Sequence, residues 1–142
     1  MITGAEAMIL CLEAEGVTKI FGYPGAAIHH FYEELSNSST IEHILVRQEQ
    51  NAGHMASGYA RTTGKVGVCL ATSGPGAANL FTAIATAYMD SIPIVAITGQ
   101  VNSTLLGRDV FQEIDTTGAV SPFIKHSYLI KDAHDIPRVF KE

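Results

Sequence analysis

Two short stretches combine residue types that could do chemistry: Val46-Arg47-Gln48-Glu49-Gln50-Asn51 and Ala71-Thr72-Ser73-Gly74-Pro75-Gly76. In each, an apolar, strand-like run stops at a polar or glycine-rich corner and helically spaced apolar residues follow. Glu49 is the one acid in either corner. A carboxylate at the end of an apolar strand is unusual without a task, although a plain surface acid is also favoured beside a helix N-terminus. Ser73 to Gly76 offers free backbone N–H groups where a helix starts, a place that suits an anion or a polar ring; the simpler account is a tight turn. Ligands of parallel sheets sit beyond the carboxyl ends of the strands, so the two corners should face one crevice.

Other chemistries fit less well. In Gly74-Pro75-Gly76-Ala77-Ala78-Asn79 the third glycine of a dinucleotide fingerprint is replaced by Asn79, and the strand that should supply a ribose-binding acid ends in Thr98-Gly99. A Gly-Lys-Ser/Thr phosphate loop and a Gly-x-Ser-x-Gly elbow are both missing from the sequence. Of the six histidines, His29 and His30 are adjacent and so point to different helix faces, and no pair has i, i+4 spacing around an acid. No metal site is expected.

The elements that must position these corners alternate. Thr3 and Glu6 form a capping box for a helix with Ala7, Leu10, Cys11 and Ala14 on its stripe, ended by Gly16. Strands are expected at Lys19 to Gly22, Ile41 to Val46, Val66 to Ala71 and Ile94 to Ile97, with a further one at Lys125 to Ile130. Helices should carry Ile28, Phe31, Tyr32 and Leu35, then Ala52, Met55, Ala56, Tyr59 and Ala60, then Pro75 to Asp90, the last buried on all sides. Gly53 and Gly58 each weaken the second of these by about 1 kcal/mol relative to alanine, which suggests close approach of another backbone. Residues 101 to 115 read as a loop or short helix at the crevice edge, and Pro137 to Glu142 as the start of a helix. The fold class expected is a three-layer α/β/α arrangement on a mostly parallel sheet, occupying residues 1–142 as one domain.

The 142 residues carry a net charge of −5 without a Lys or Arg cluster, which argues against nucleic acid or an anionic membrane surface as partner. Only 16% of residues are charged, so extra buried surface, within the sheet or between subunits, is expected. Cys11 and Cys69 read as buried free thiols in a reducing compartment. Val66 to Met89 holds no charge, but Gly74-Pro75-Gly76 interrupts it, so a buried strand-turn-helix is favoured over a membrane span. Thr3 to Glu6 does not suit a signal peptide.

Taken together, Phe21-Gly22-Tyr23-Pro24-Gly25, Arg47-Gln48-Glu49-Gln50, Ala52-Gly53-His54-Met55-Ala56, Gly58-Tyr59-Ala60-Arg61, Thr72-Ser73-Gly74-Pro75-Gly76 with Asn79, Gly99-Gln100-Val101, and Asp109 with Phe111-Gln112-Glu113 resemble the pyrimidine-binding N-terminal domain of thiamine diphosphate enzymes, most nearly acetolactate (acetohydroxyacid) synthase large subunits. The resemblance covers essentially the whole chain. It implies that Glu49 is the catalytic acid, which bonds N1′ of the cofactor's aminopyrimidine so that the thiazolium carbon can lose its proton. It further implies that Tyr23, Pro24, Gly25, Thr72, Pro75, Gly76, Asn79 and Gln112 line the cofactor, and that Gly25, Phe111 and Gln112 face the substrate. The activity implied is decarboxylation of pyruvate and transfer of the two-carbon unit to a second 2-keto acid; a sulfoacetaldehyde or oxalyl-CoA enzyme of the same superfamily, and a non-catalytic binding module, are the alternatives.

The resemblance also implies a homodimer or tetramer built through the Gly53/Gly58 helix, in the cytoplasm, with a diphosphate-binding domain of a partner subunit completing the site. Mg²⁺ and FAD belong to the full-length enzyme and not to this piece, which alone should be inactive; a regulatory small subunit is a further implied partner. Gln48, Asn51, Ala26 and Asn102 replace the family's usual His, Gly, Gly and Pro. Glu49 is retained, unlike in the glyoxylate-ligase branch.

Overall fold

Thr3 opens α1 (Gly4–Ala14) by accepting the Glu6 N–H on its hydroxyl at 3.0 Å, the N-cap half of the expected box. Residues 2–142 are described in this computed structural model. The helix buries Ala7, Ile9 and Leu12, so of the expected stripe only Ala7 is buried: Leu10 and Ala14 are exposed and Cys11 is half-buried. Residues 7–12 are apolar all round, so spacing alone selects no face. The sheet takes Ile9 and Leu12, while Cys11 and Ala14 line a groove with Pro137 and Phe140 of α7 (Ile136–Lys141).

Four strands, β1 (Lys19–Gly22), β2 (Glu42–Leu45), β3 (Gly67–Ala71) and β4 (Ile94–Thr98), form one fully parallel sheet in the order β2-β1-β3-β4. Phe21 lies opposite Ile44 on one side and Cys69 on the other, and Cys69 opposite Ala96. Successive residues therefore serve opposite faces. Ile20, Val68 and Leu70 pack with Ile9 and Leu12 of α1 and with Phe31 and Leu35 of α2 (His29–Asn37). Phe21, Cys69 and Ala71 pack with Ala52 and Ala56 of α3 (Glu49–Thr63), and with Leu80 and Ile84. Two helical layers on one sheet give the three-layer α/β/α architecture that the alternation of strand and helix implied.

Three expectations are corrected. Lys125 to Ile130 forms no strand: alternation supplies a pattern, but a strand needs a ladder partner, and this segment runs irregularly with His126 to Leu129 exposed. The stretch after Pro75 is two helices, α4 (Pro75–Ala78) and α5 (Phe81–Met89), because the chain tightens at Leu80, whose N–H bonds back three residues to the Ala77 carbonyl at 3.0 Å. Nor is α5 buried all round; Ala83, Ile84 and Ala87 face inward, while Tyr88 and Met89 are exposed.

The two glycines of α3 also part company. A Cβ on Gly53 would stand 2.4 Å from the Ala83 Cβ, so Gly53 lets α5 of the same chain press against α3. Gly58 is exposed and a Cβ there would meet nothing within 4 Å, so no close approach explains it in this chain.

Candidate functional site

The chain leaves β1 towards β2 on one side and returns to β3 on the other, so the strand order reverses between β1 and β3. A crevice beyond the carboxyl ends of the strands is the physical consequence of such a reversal. Each strand feeds a corner there. After β1 come Tyr23 and Pro24, both exposed, and Gly25; the Tyr23 N–H reaches the Leu70 carbonyl at 3.3 Å. After β4, the Gly99 N–H reaches the Ala71 carbonyl at 2.9 Å.

Thr72 wedges two corners together. Its hydroxyl accepts the Ala27 N–H at 3.2 Å, and its side chain fills the space above two glycines: a Cβ on Gly25 would lie 2.5 Å from the Thr72 Cβ, and one on Gly76 2.6 Å from its Cγ2. Only bare glycine fits at either position. Gly74, at φ 58° and ψ −121°, makes the turn that sets Pro75 as the first residue of α4, where a missing N–H costs nothing. Beside it the Ser73 hydroxyl, 1% exposed, is a buried side-chain polar atom without a hydrogen-bond partner among the described residues. Burying such a group costs about 1–3 kcal/mol, a penalty that native folds concentrate at sites completed by something else.

Glu49 is the first residue of α3, where the helix N-terminus favours an acid. The Asn79 amide donates to its Oε2 at 2.9 Å, so the second corner reaches across to the first. Asn79 can do so because the break between α4 and α5 falls beside it. The other oxygen, Oε1, lies 3.2 Å from where a Cβ on Gly76 would stand. One oxygen is thus engaged, while the other makes no hydrogen bond among the described residues and would be crowded by a side chain at residue 76. Glu49 is half-buried, wetter than the dry strand end expected, since it projects past the sheet towards the exposed Gln48 and Asn79.

The loop after β4 closes the site from a third direction. A Cβ on Gly74 would meet the backbone of Gln112, its O at 2.5 Å and its Cα at 2.8 Å. Glu49, Gly76, Asn79, Thr72, Gly25 and Gln112, all expected at the site, are therefore linked by contacts through the two corners. Tyr23, Pro24 and Pro75 are exposed, and Phe111 stands out at 86% exposure. Asn102, one of the unusual residues, caps a short 3₁₀ turn, accepting the Thr104 N–H at 3.0 Å.

Two residues near the site were read from sequence only as core or not at all. The Tyr32 hydroxyl pairs with His43 Nε2 at 3.2 Å, their rings edge to face at 5.0 Å, and a Cβ on Gly22 would stand 2.6 Å from that hydroxyl. Burial and then the negative charge of Glu49 push the Tyr32 phenol well above its ordinary range. Burial lowers the His43 pKa, against a smaller opposing effect of a backbone bond at Gly22. Helical spacing marks Tyr32 as a core residue, and nothing in a linear sequence brings His43 beside it.

The profile described as "Thiamine pyrophosphate enzyme, N-terminal TPP binding domain" matches residues 2–119. The chain belongs to this family. The thiamine pyrophosphate enzyme domain is 56% identical over 142 residues to the acetolactate synthase large subunit of Buchnera aphidicola subsp. Schizaphis graminum, covering 100% of this chain and 25% of that protein. It is 54% identical over 142 residues to the acetolactate synthase isozyme 3 large subunit of Escherichia coli, again 100% of this chain and 25% of the relative. An acetolactate synthase of Mycobacterium bovis is 57% identical over 141 residues, 99% of this chain and 23% of the relative. The domain therefore spans about a quarter of the length of the curated relatives it matches. Among the described residues, no helix is long and apolar enough to cross a membrane.

Proposed function

We propose that this chain supplies the pyrimidine-binding half of a thiamine diphosphate site in a longer acetolactate synthase, and that Glu49 is its catalytic residue. The observation that carries the reading is the grip on Glu49: Oε2 accepts from Asn79 at 2.9 Å while Oε1, beside Gly76, makes no hydrogen bond among the described residues. The names of the relatives support the choice of reaction, and the residues present suit the group: a carboxylate with one free oxygen, glycines that leave room, and a buried unpartnered Ser73 hydroxyl.

Bound thiamine diphosphate would supply an acidic carbon and an electron sink for decarboxylation of a 2-keto acid. This chain's residues would do the positioning. Glu49 Oε1 would hold a proton at the ring nitrogen, Asn79 would keep the carboxylate from rotating away, and Thr72 would keep the Gly25 and Gly76 corners at a fixed separation. Tyr23, Pro24 and Pro75 would form the rim, with Gly25, Phe111 and Gln112 towards the substrate.

The same reading assigns Mg²⁺, the diphosphate and FAD to other parts of the full-length protein, which would work as a cytoplasmic homodimer or tetramer with a second domain of a partner subunit completing each site, and with a regulatory small subunit as a further partner. The α3 face with exposed Met55 and Gly58, and the exposed Tyr88 and Met89 of α5, leave apolar surface that suits such an assembly.

The test is to incubate the full-length protein with thiamine diphosphate, Mg²⁺ and pyruvate. Acetolactate is the expected product. Turnover of sulfoacetaldehyde or oxalyl-CoA in its place would reassign the substrate, and failure to bind thiamine diphosphate at all would overturn the proposal.

A further inference from the structure

The loop between Gly107 and Glu113 carries backbone strain in an unusual concentration. Asp109 and Gln112 both adopt positive φ, 51° and 60°, and neither is glycine. Such conformations are sparsely populated outside glycine and persist only where surrounding structure holds them. One side chain ties this segment together, across a backbone turn from Val110 to Glu113 in which Gln112 takes the position that favours positive φ. Glu113 folds back over its own loop: Oε1 accepts the Gly107 N–H at 2.5 Å and Oε2 accepts the Val110 N–H at 3.2 Å, while the Glu113 N–H bonds the Val110 carbonyl at 3.0 Å. Both carboxylate oxygens are used, and neither contacts the Glu49 corner. The two residues inside the buckle that matter to the site are Phe111, presented almost fully to solvent, and Gln112, whose backbone rests on Gly74.

We propose that Glu113 is a positioning residue: its carboxylate buckles residues 107–113 into the strained shape that seats Gln112 on the Ser-Gly-Pro-Gly corner and holds Phe111 out for the second substrate. This rests on the reading of Phe111 and Gln112 as substrate-facing residues of a thiamine diphosphate enzyme. It separates two tasks in one crevice, because Glu49 would govern proton release from the cofactor whereas Glu113 governs which acceptor is chosen. Backbone N–H groups, those of Gly107 first, hold the Glu113 carboxyl below the usual carboxylate range, so it is charged and able to accept both bonds near neutral pH.

The experiment uses the full-length holoenzyme carrying Glu113→Gln, Glu113→Asp or Glu113→Ala, with Asp115→Asn as control. Asp115 is the neighbouring acid that caps α6 (Thr116–Val120) through the Gly118 N–H at 2.9 Å and has no part in the buckle. Three quantities are read: exchange of the cofactor's C2–H, partition of product between pyruvate and its one-carbon-longer homologue in competition, and trypsin cleavage after the exposed Arg108, which lies inside the buckle. Gln keeps one acceptor but brings its NH₂ group against an N–H donor. Both Gln and Ala should therefore open the loop, speeding cleavage after Arg108 roughly tenfold and shifting the partition several-fold. Asp should fall between these and wild type, while exchange stays within about twofold in every variant and Asp115→Asn changes nothing.

Wild-type partition and wild-type cleavage in Glu113→Gln and Glu113→Asp would overturn the proposal, even if Glu113→Ala failed to fold. A collapse of exchange alongside the partition would overturn it as well, since the carboxylate would then act on the cofactor corner itself. Failure of the underlying reading shows separately, as unchanged exchange in Glu49→Gln.

Discussion

Replacing Asn79 tests whether the contact between the two corners matters for proton release. Its amide donates to Glu49 Oε2 at 2.9 Å, and α4 has already ended at this residue, so the side chain can be cut back with little effect on the helix. A hydrogen bond to a charged group contributes about 1.5–3 kcal/mol when well buried. Asn79 is exposed and Glu49 only half-buried, so solvent brings the contribution to the bottom of that range or just below it, about 1–1.5 kcal/mol, or roughly a tenfold change in rate. Asn79→Ala in the full-length enzyme should therefore slow C2–H exchange about tenfold at saturating cofactor. Asn79→Asp keeps the shape but sets a second carboxylate against the first, adding about 1–4 kcal/mol of repulsion at contact distance. The order expected is wild type, then Ala, then Asp, measured by deuterium exchange with rapid quench and NMR, with unchanged melting temperatures as the control for folding. Equal exchange in wild type and Asn79→Ala, or faster exchange in Asp than in Ala, would refute the argument.

Further outcomes follow from single side chains. Gly76→Ala drives a methyl to within 2.6 Å of Thr72 Cγ2 and 3.2 Å of Glu49 Oε1, so it should cost about 1–3 kcal/mol of stability and weaken cofactor binding, read by chemical denaturation and cofactor titration. Gly53→Ala meets Ala83 at 2.4 Å and should destabilise by a similar amount, whereas Gly58→Ala, with open space around it, should gain up to about 1 kcal/mol from helix propensity; loss at position 58 would show that a partner packs there. His43, its pKa lowered by burial beside Tyr32, binds fewer protons folded than unfolded below the ordinary value of about 6.5. Its contribution is complete above that pH and is lost as pH falls through the lower folded value. Denaturation midpoints between about pH 7.5 and 5.5 should therefore fall less steeply in His43→Gln than in wild type.

Much of the fold could be read in advance because the central strand is covered on both faces, so that Val68 to Ala71 appears as an unbroken apolar run between glycine and proline punctuation; Ile94 to Ile97 reads the same way although Val95 and Ala96 of β4 are exposed. Sequence pattern and structure part company where the pattern is symmetric or the partners are remote. Residues 7–12 are apolar on every side, so the buried face of α1 depended on which neighbours arrived. Lys125 to Ile130 alternates like a strand but has no ladder to join. At the site, the residue types at both corners were legible, but the bond between Asn79 and Glu49 depends on a break at Leu80 that propensity does not mark. The Glu113 buckle depends on positive φ at Asp109 and Gln112, conformations that a side-chain sequence does not announce. Gly53 and Gly58 look alike in the chain and differ only in what lies opposite.

The central claim is that Glu49 Oε1 is the atom that manages the cofactor's proton, and Glu49→Gln in the full-length enzyme tests it most directly. The amide keeps the size and the contact with Asn79 but gives up the carboxylate's ability to hold a proton at the ring nitrogen. The account predicts that C2–H exchange of bound thiamine diphosphate slows by about 10²–10⁴-fold while the protein stays folded. Exchange at the wild-type rate would contradict it.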